Sequence, residues 1–228
     1  MNAVKAVCDS LNLSSLSMES IFIHHANYTI EAVKTKSIFY PTIWSQTFGK
    51  SLQKNIIEAK IIHTHLGIKL PLKTFAITPK RQTVEFAGLH GYNERSHLLT
   101  LILRELWTQL QYTRITRLDI AIDFKGKIPQ KVLANLNQTR KPFKYKNTVY
   151  YKTEKEKSRN QKMDIKVYNK QKQAKLAYSL YRLEFVFKGN YFNKLLLKDI
   201  QLIYKKMEKS IKRATGLEVK IVDICPLG

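Results

Sequence analysis

The chain is 228 residues long and carries 40 Lys and Arg against 17 Asp and Glu, a formal charge of +23. With 44% apolar and 11% aromatic residues it holds enough buried-type side chain for a core, which excludes a basic disordered tail, a class poor in both. Such charge draws a polyanion by releasing condensed counterions from phosphates, so nucleic acid is the expected partner, ahead of an anionic membrane.

The N-terminus lacks a basic-then-apolar signal pattern, and no run approaches the roughly 18 to 20 uninterrupted apolar residues that span a bilayer. A cytoplasmic protein without membrane association is expected. Val4, Ala6, Val7 and Leu11 predict a short helix at the start of the chain, which the Ser-rich stretch 14–20 interrupts. Cys8 and Cys225 have no zinc-ligand spacing and are expected to be inert thiols. Residues 20–30 (SIFIHHANYTI) and 82–89 (QTVEFAGL) gather β-branched and aromatic residues over short runs and predict strands, the second ending in the turn-like HGYN. Residues 40–80 give no clear pattern. From Glu94 to Tyr112, the apolar residues Leu98, Leu99, Leu101, Ile102, Leu106, Trp107 and Leu110 recur at three and four, the period of an amphipathic helix. A strand over 116–124 follows, then a short helix opened by Pro129 and running to about Asn137. Strands are predicted at 148–152, 163–169 and 181–188. The run between the first two, KTEKEKSRNQK, reads as a solvated hairpin loop rather than a DNA-contacting finger. A last helix over 191–215 sets Leu195, Leu196, Ile200, Ile203, Met207 and Ile211 against a lysine-rich side, and Gly216 stops it.

The order β-α-β-α-β-β-β-α over 82–215 predicts an α+β fold. Its sheet is expected to be antiparallel-rich and mixed, built from βαβ-type units, with helices on one face and the other face open, in a palm-like arrangement. Side chains alternate between the faces of a strand. In TRLDIAIDF, Leu118, Ile120, Ile122 and Phe124 point to a core while Arg117, Asp119, Ala121 and Asp123 point away. In DIKVYNK, Ile165 and Val167 oppose Asp164, Lys166, Tyr168 and Lys170; in YRLEFVFK, Leu183, Phe185 and Phe187 oppose Arg182, Glu184, Val186 and Lys188. Asp is disfavoured in mid-strand, so acids, bases and a phenol recurring on one face of three strands point to a ligand there. Asp119, Asp123 and Glu184 are expected to face a hard divalent cation, Mg2+ or Mn2+. Tyr168 is the candidate nucleophile. Lys166, Lys170 and Arg182 are expected to hold phosphate oxygens or stabilise developing charge, the two lysines lowering the phenol pKa. Arg117, Lys152, Lys188 and Tyr150 are the candidate DNA contacts.

The segments TRLDIAIDF (116–124), TVYYKT (148–153), IKVYNK (165–170) and YRLEFVFK (181–188), in that order, resemble the Rep_trans family. This family comprises the replication initiation factors of rolling-circle plasmids and some filamentous phages, with related conjugative relaxases. The resemblance implies a Rep-type, metal-dependent endonuclease that nicks one strand at an origin. Its tyrosine stays joined to the 5′ phosphate and a free 3′ hydroxyl is left. It places the family's acids on Asp119, Asp123 and Glu184, and its strand tyrosine on Tyr168 with Lys170. It also implies origin DNA, single-stranded or hairpin, as substrate, a helicase as partner and a homodimer as candidate assembly. Residues 81–228 would be the catalytic nicking domain. Residues 1–80 match nothing and would be an α/β portion of the same domain or an element of DNA recognition.

Other assignments stay open. Tyr150 and Tyr151 are rival nucleophiles. His63-Thr64-His65 offers a metal pair like that of the HUH endonucleases, but Thr64 is not hydrophobic; His24-His25 is a candidate of the same standing. A non-catalytic sheet that stacks single-stranded bases on Tyr150, Tyr168 and Phe187 would need no carboxylates. A primase-like or polymerase-like palm would need the acids but not Tyr168.

Overall fold

The computed structural model of the chain describes residues 3–36, 55–74, 81–90, 93–152 and 163–224. The chain forms two compact units, Met1–Ser10 with Arg117–Gly228, and Leu11–Thr116. Strands β1 (Val4–Ser15) and β6 (Arg114–Lys125) give residues to both. The expected boundary at residue 80 falls inside the second unit. Cys8 is a free, buried thiol, whereas Cys225, Gly91 and Tyr92 of the HGYN turn, and 153–162 of the expected loop lie outside the described residues. Among the described residues no helix is long and apolar enough to cross a membrane.

In the first unit the strands run in the order β1-β6-β10-β9-β8-β7. Here β7 is Lys141–Tyr145, β8 Thr148–Lys152, β9 Met163–Asn169 and β10 Leu180–Lys188. The pairings of β6 with β10, β10 with β9, β9 with β8 and β8 with β7 are antiparallel. A short β11 (Val219–Ile221) joins β1 in parallel. On the apolar side of these strands Leu118, Ile120, Ile122, Ile165, Leu183, Phe185 and Phe187 are completely buried, and on the other side Asp119, Ala121, Arg182, Glu184 and Val186 are buried as well. Burial of each such apolar side chain contributes roughly 1.5 to 3 kcal/mol, so the apolar face anchors the strands that carry the polar one. Helix α4 (Gln130–Thr139) starts after Pro129 and packs on α6 (Ile200–Thr215). The expected 191–215 helix begins only at Ile200. Asn193 and Lys194 take positive φ, and Leu197–Asp199 is a tight 3₁₀ turn in which the Asp199 carboxylate accepts from the Leu196 N–H at 3.0 Å. Leu195 and Leu196 therefore precede the helix. Gly216, at φ 74°, ends it as expected.

In the second unit the strand order is β2-β3-β4-β5-β1, with β2 Tyr28–Lys36, β3 Asn55–His63, β4 Lys69–Thr74 and β5 Gln82–Ala87. The helices are α1 (Met18–Ile23), α2 (Glu94–Glu105) and α3 (Trp107–Leu110). Two expectations fail here. The start of the chain is a strand rather than a helix, since Ala6, Cys8 and Ser10 are buried with a period of two, and tertiary pairing overrides a sparse helical spacing. Residues 20–30 are not one strand. Met18 and Phe22, four apart and fully buried, belong to one face of α1, which turns through His24–Asn27 into β2.

Candidate functional site

Residues directly opposed in antiparallel strands share a face. The register therefore lays out the polar side of the first unit as rows that cross the sheet. One row reads Asp123, Arg182, Tyr168, Thr148, Tyr145; its neighbour reads Ala121, Glu184, Lys166, Tyr150, Phe143; a third holds Asp119, Val186 and Asp164. Asp123, Glu184, Arg182, Lys166 and Tyr168 are thus brought together on one face, while Asp119 lies one row further along. Tyr151 opposes Ile165 on the core side and is buried, so Tyr150 is the neighbour that shares the face of Tyr168.

The face is closed by its own ion pairs rather than open. Arg182 is fully buried. Its Nε and Nη2 donate to the two Asp123 oxygens at 2.8 and 2.9 Å, and its Nη1 donates to Asp9 at 2.5 Å. Glu184, also buried, accepts from Lys166 Nζ and from the Tyr168 hydroxyl, each at 2.7 Å. Arg117 holds both Asp119 oxygens at 2.8 and 2.6 Å, and Lys188 pairs with Asp164. Arg182, expected to hold phosphate oxygens, instead spends its fork on two carboxylates within the fold. Lys170 is not the last strand residue but the first of α5 (Lys170–Ala174), which the Asn169 side chain caps. Its ammonium lies 5.9 Å from the Tyr168 ring centre. Lys152 is exposed and Tyr150 half-buried.

Burial, followed by the Glu184 charge, pushes the Tyr168 phenol well above its ordinary value, and Arg182 only partly opposes them. The expected lowering by Lys166 and Lys170 is not found. Lys166 is paired with Glu184, and burial, then Arg182, lower Lys170 itself. The Asp119 carboxyl is raised chiefly by burial, with Glu184 adding to it, although Arg117 pulls the other way. The Glu184 charge is a lesser cause of that rise than burial is. Asp119 and Asp123 lie four residues apart along one strand, roughly 13 Å between Cα atoms, with Glu184 opposite Ala121 between them, and each is occupied by an arginine, Arg117 and Arg182. Among the described residues no group of three or more His, Cys, Asp or Glu is placed to hold a metal ion.

Sequence reasoning missed Asp9, because β1 was not recognisable as a strand and its mid-strand acid carried no signal. It also missed Glu105 in the second unit. The Glu105 carboxylate accepts from Asn27 Nδ2 at 2.9 Å and the Tyr28 hydroxyl at 3.0 Å, with His25 and His63 Nε2 each 3.4 Å away. His63 is therefore buried against Glu105 and Tyr28, and His65 is exposed beside it. The two rings lie 6.2 Å apart between centroids, and among the described residues they belong to no group of three or more His, Cys, Asp or Glu placed to hold a metal ion.

No protein-family model matches the chain. No curated protein sequence matches it either. Among solved structures, it is similar to a rolling circle replication initiator protein from Geobacillus stearothermophilus, with a TM-score of 0.54 and 14% sequence identity, over 92% of this chain and 85% of that one. At that identity the likeness is one of fold: the chain has the antiparallel-rich sheet with helices that this initiator also has.

Proposed function

We propose that the chain acts in replication initiation, nicking one DNA strand with Tyr168 as nucleophile in the manner of rolling-circle initiators. The observation that carries this reading is the short hydrogen bond from the Tyr168 hydroxyl to Glu184, with Lys166 on the other carboxylate oxygen and Lys170 beside the ring. The fold likeness to a replication initiator supports it.

A phenol that stays protonated at neutral pH attacks only if its proton has an acceptor in place. Glu184 takes that proton as the tyrosine oxygen bonds to phosphorus. The bond from phosphorus to the 3′ oxygen breaks, and that oxygen is protonated by solvent. A 5′ phosphotyrosine and a free 3′ hydroxyl result. Lys166, on the other Glu184 oxygen, and Lys170, 5.9 Å from the Tyr168 ring centre, are the cations that would meet the developing phosphoryl charge, while Arg182 holds Asp123 and Asp9 in place. Mg2+ or Mn2+ would have to displace Arg117 from Asp119 and Lys166 from Glu184 to be held there, and would then polarise a phosphoryl oxygen; no step of the attack depends on it. Lys152 and Tyr150 are the neighbouring DNA contacts.

The test uses supercoiled DNA carrying the sequence that flanks the chain's own coding region, and end-labelled single strands from it. Wild type with Mg2+ or Mn2+ should nick the plasmid and give a labelled protein band that survives denaturation. Tyr168→Phe should abolish both, while DNA affinity changes by less than about 1 kcal/mol, as for loss of one hydroxyl. An adduct that persists in Tyr168→Phe but disappears in Tyr150→Phe would move the nucleophile to Tyr150. No adduct with either metal would sink the nicking reading.

A further inference from the structure

Strand β7 is the outermost of its sheet, and all five of its residues are exposed. Exposed edges are normally guarded by charge, and Lys141 and Lys144 meet that need. Phe143 and Tyr145 do not, yet each is 56% exposed. Phe143 opposes Tyr150, which opposes Lys166; Tyr145 opposes Thr148, which opposes Tyr168. The two exposed rings and Tyr150 therefore lie on the face that carries Tyr168, with β7 two strand spacings, roughly 10 Å, from β9. Each exposed ring also has a cation near it. Lys152 Nζ is 5.9 Å from the Phe143 centroid, and Lys146 Nζ is 5.6 Å from that of Tyr145. Residues 140–152 (RKPFKYKNTVYYK) contain five Lys and Arg and no acid.

We propose that this face of the β7–β8 hairpin is a stacking platform for the bases of single-stranded DNA, which it leads towards Tyr168; the proposal rests on the nicking reading above. Flat rings are sequence-tolerant partners for bases, and lysines beside them neutralise the phosphates that accompany each base. The charge fits a polyanion, and rings spread along a strand fit a chain of bases better than a lipid surface, which favours a contiguous apolar patch.

The experiment compares the full chain with the double variant Phe143→Leu/Tyr145→Leu, which keeps apolar bulk but cannot stack. A second double variant, Phe143→Tyr/Tyr145→Phe, keeps both rings. The probes are a fluorescent oligo-dT of about 20 nucleotides, the same length carrying 2-aminopurine, a duplex of equal length, and phosphatidylserine vesicles. The leucine variant should bind the single strand at least roughly tenfold more weakly and lose the 2-aminopurine quenching, with duplex affinity within about twofold of wild type. The ring-keeping variant should match wild type. Unchanged single-strand affinity in the leucine variant overturns the platform, as does an equal loss for duplex and single strand. So does a loss confined to vesicles. If wild type quenches 2-aminopurine but never forms a covalent adduct, the nicking reading falls while the platform stands. If it forms the adduct and the leucine variant binds and cuts as well, the platform falls while nicking stands.

Discussion

Arg182 has five N–H donors in a planar fork, and the fold uses them to join carboxylates from two different strands, Asp123 on β6 and Asp9 on β1. A charge that is fully buried is tolerated only when paired and hydrogen-bonded. Removing it would leave both acids without their cation, so Arg182→Met should lower stability by about 3 kcal/mol, read as a fall in denaturation midpoint. Arg182→Lys should recover only part of this, because an ammonium cannot reproduce the two parallel bonds to Asp123. If Arg182→Met melts with wild type, the fork does not hold the face together. Glu105 offers a second test at the same scale. Burial works to raise its carboxyl, but hydrogen bonds from Asn27 and Tyr28 and the charges of His63 and His25 together bring it below the ordinary value of 4.5. A carboxyl whose pKa is lower in the folded chain than in the unfolded one stabilises the fold above the unfolded value, and that contribution is lost as pH falls through the folded value. Glu105→Gln should therefore cost stability at pH 7 and progressively less as pH falls below the ordinary carboxyl value, measured as urea midpoints from pH 7 downward. Parallel midpoint curves for wild type and variant would contradict it.

The elements that carry the polar face were the readable ones. TRLDIAIDF, MDIKVYN and LYRLEFVFK alternate because Leu118, Ile120, Ile122, Ile165, Leu183, Phe185 and Phe187 are fully buried on one side, although Phe124, Met163 and Val167 on that side are only half-buried, and burial on one face is what imposes a period of two. Parity therefore puts Asp119, Asp123, Lys166, Tyr168, Lys170, Arg182 and Glu184 on the polar sides of their strands, without saying which of them are neighbours across the sheet. It could not show that Arg182 turns inward to two acids, since alternation assigns a face and not a partner. β1 was hidden because its buried residues include Ala6, Cys8 and Ser10, small or weakly apolar side chains that leave little pattern, and Asp9 was hidden with it. β7 was hidden for the opposite reason: KPFKY is exposed throughout and has no buried face to impose alternation. The lower end of α6 is not legible in the sequence because Leu195 and Leu196 fit the helical stripe, although Asn193 and Lys194 break the backbone before it. Its upper end was legible from one glycine, and that glycine is open to test. Gly216 sits at φ 74°, and a Cβ there would come within 2.6 Å of Asn135 Nδ2, the atom that donates to the Thr215 carbonyl at 2.8 Å. An alanine would have to adopt a left-handed conformation and also displace the bond that ties α4 to the end of α6. Gly216→Ala should destabilise by about 1 kcal/mol or more, with α6 losing amide protection first in hydrogen exchange. A neutral effect would mean that Asn135 moves aside freely.

At the scale of the whole molecule the governing quantity is the +23 charge, and its signature is the salt dependence of binding rather than affinity at one condition. Each phosphate neutralised on a single strand lowers the slope of log K against log salt by about 0.7. If six are engaged, the slope is about −4, and raising salt from about 50 to 200 mM should weaken binding by about 300-fold. The exposed lysines of the β7–β8 hairpin contribute to that slope. Lys152→Ala should therefore make it shallower by about 0.7, whatever it does to affinity at a single salt concentration. Ring stacking releases few ions, so Phe143→Leu/Tyr145→Leu should shift the whole line downward while leaving it parallel to wild type. The same titrations, by fluorescence anisotropy on oligo-dT at four or more salt concentrations, thus separate the ionic and stacking parts of binding. A wild-type slope near zero would remove phosphate neutralisation as the source of affinity. A leucine variant whose line changes slope but converges with wild type at high salt would show that the rings act by placing lysines, not by holding bases.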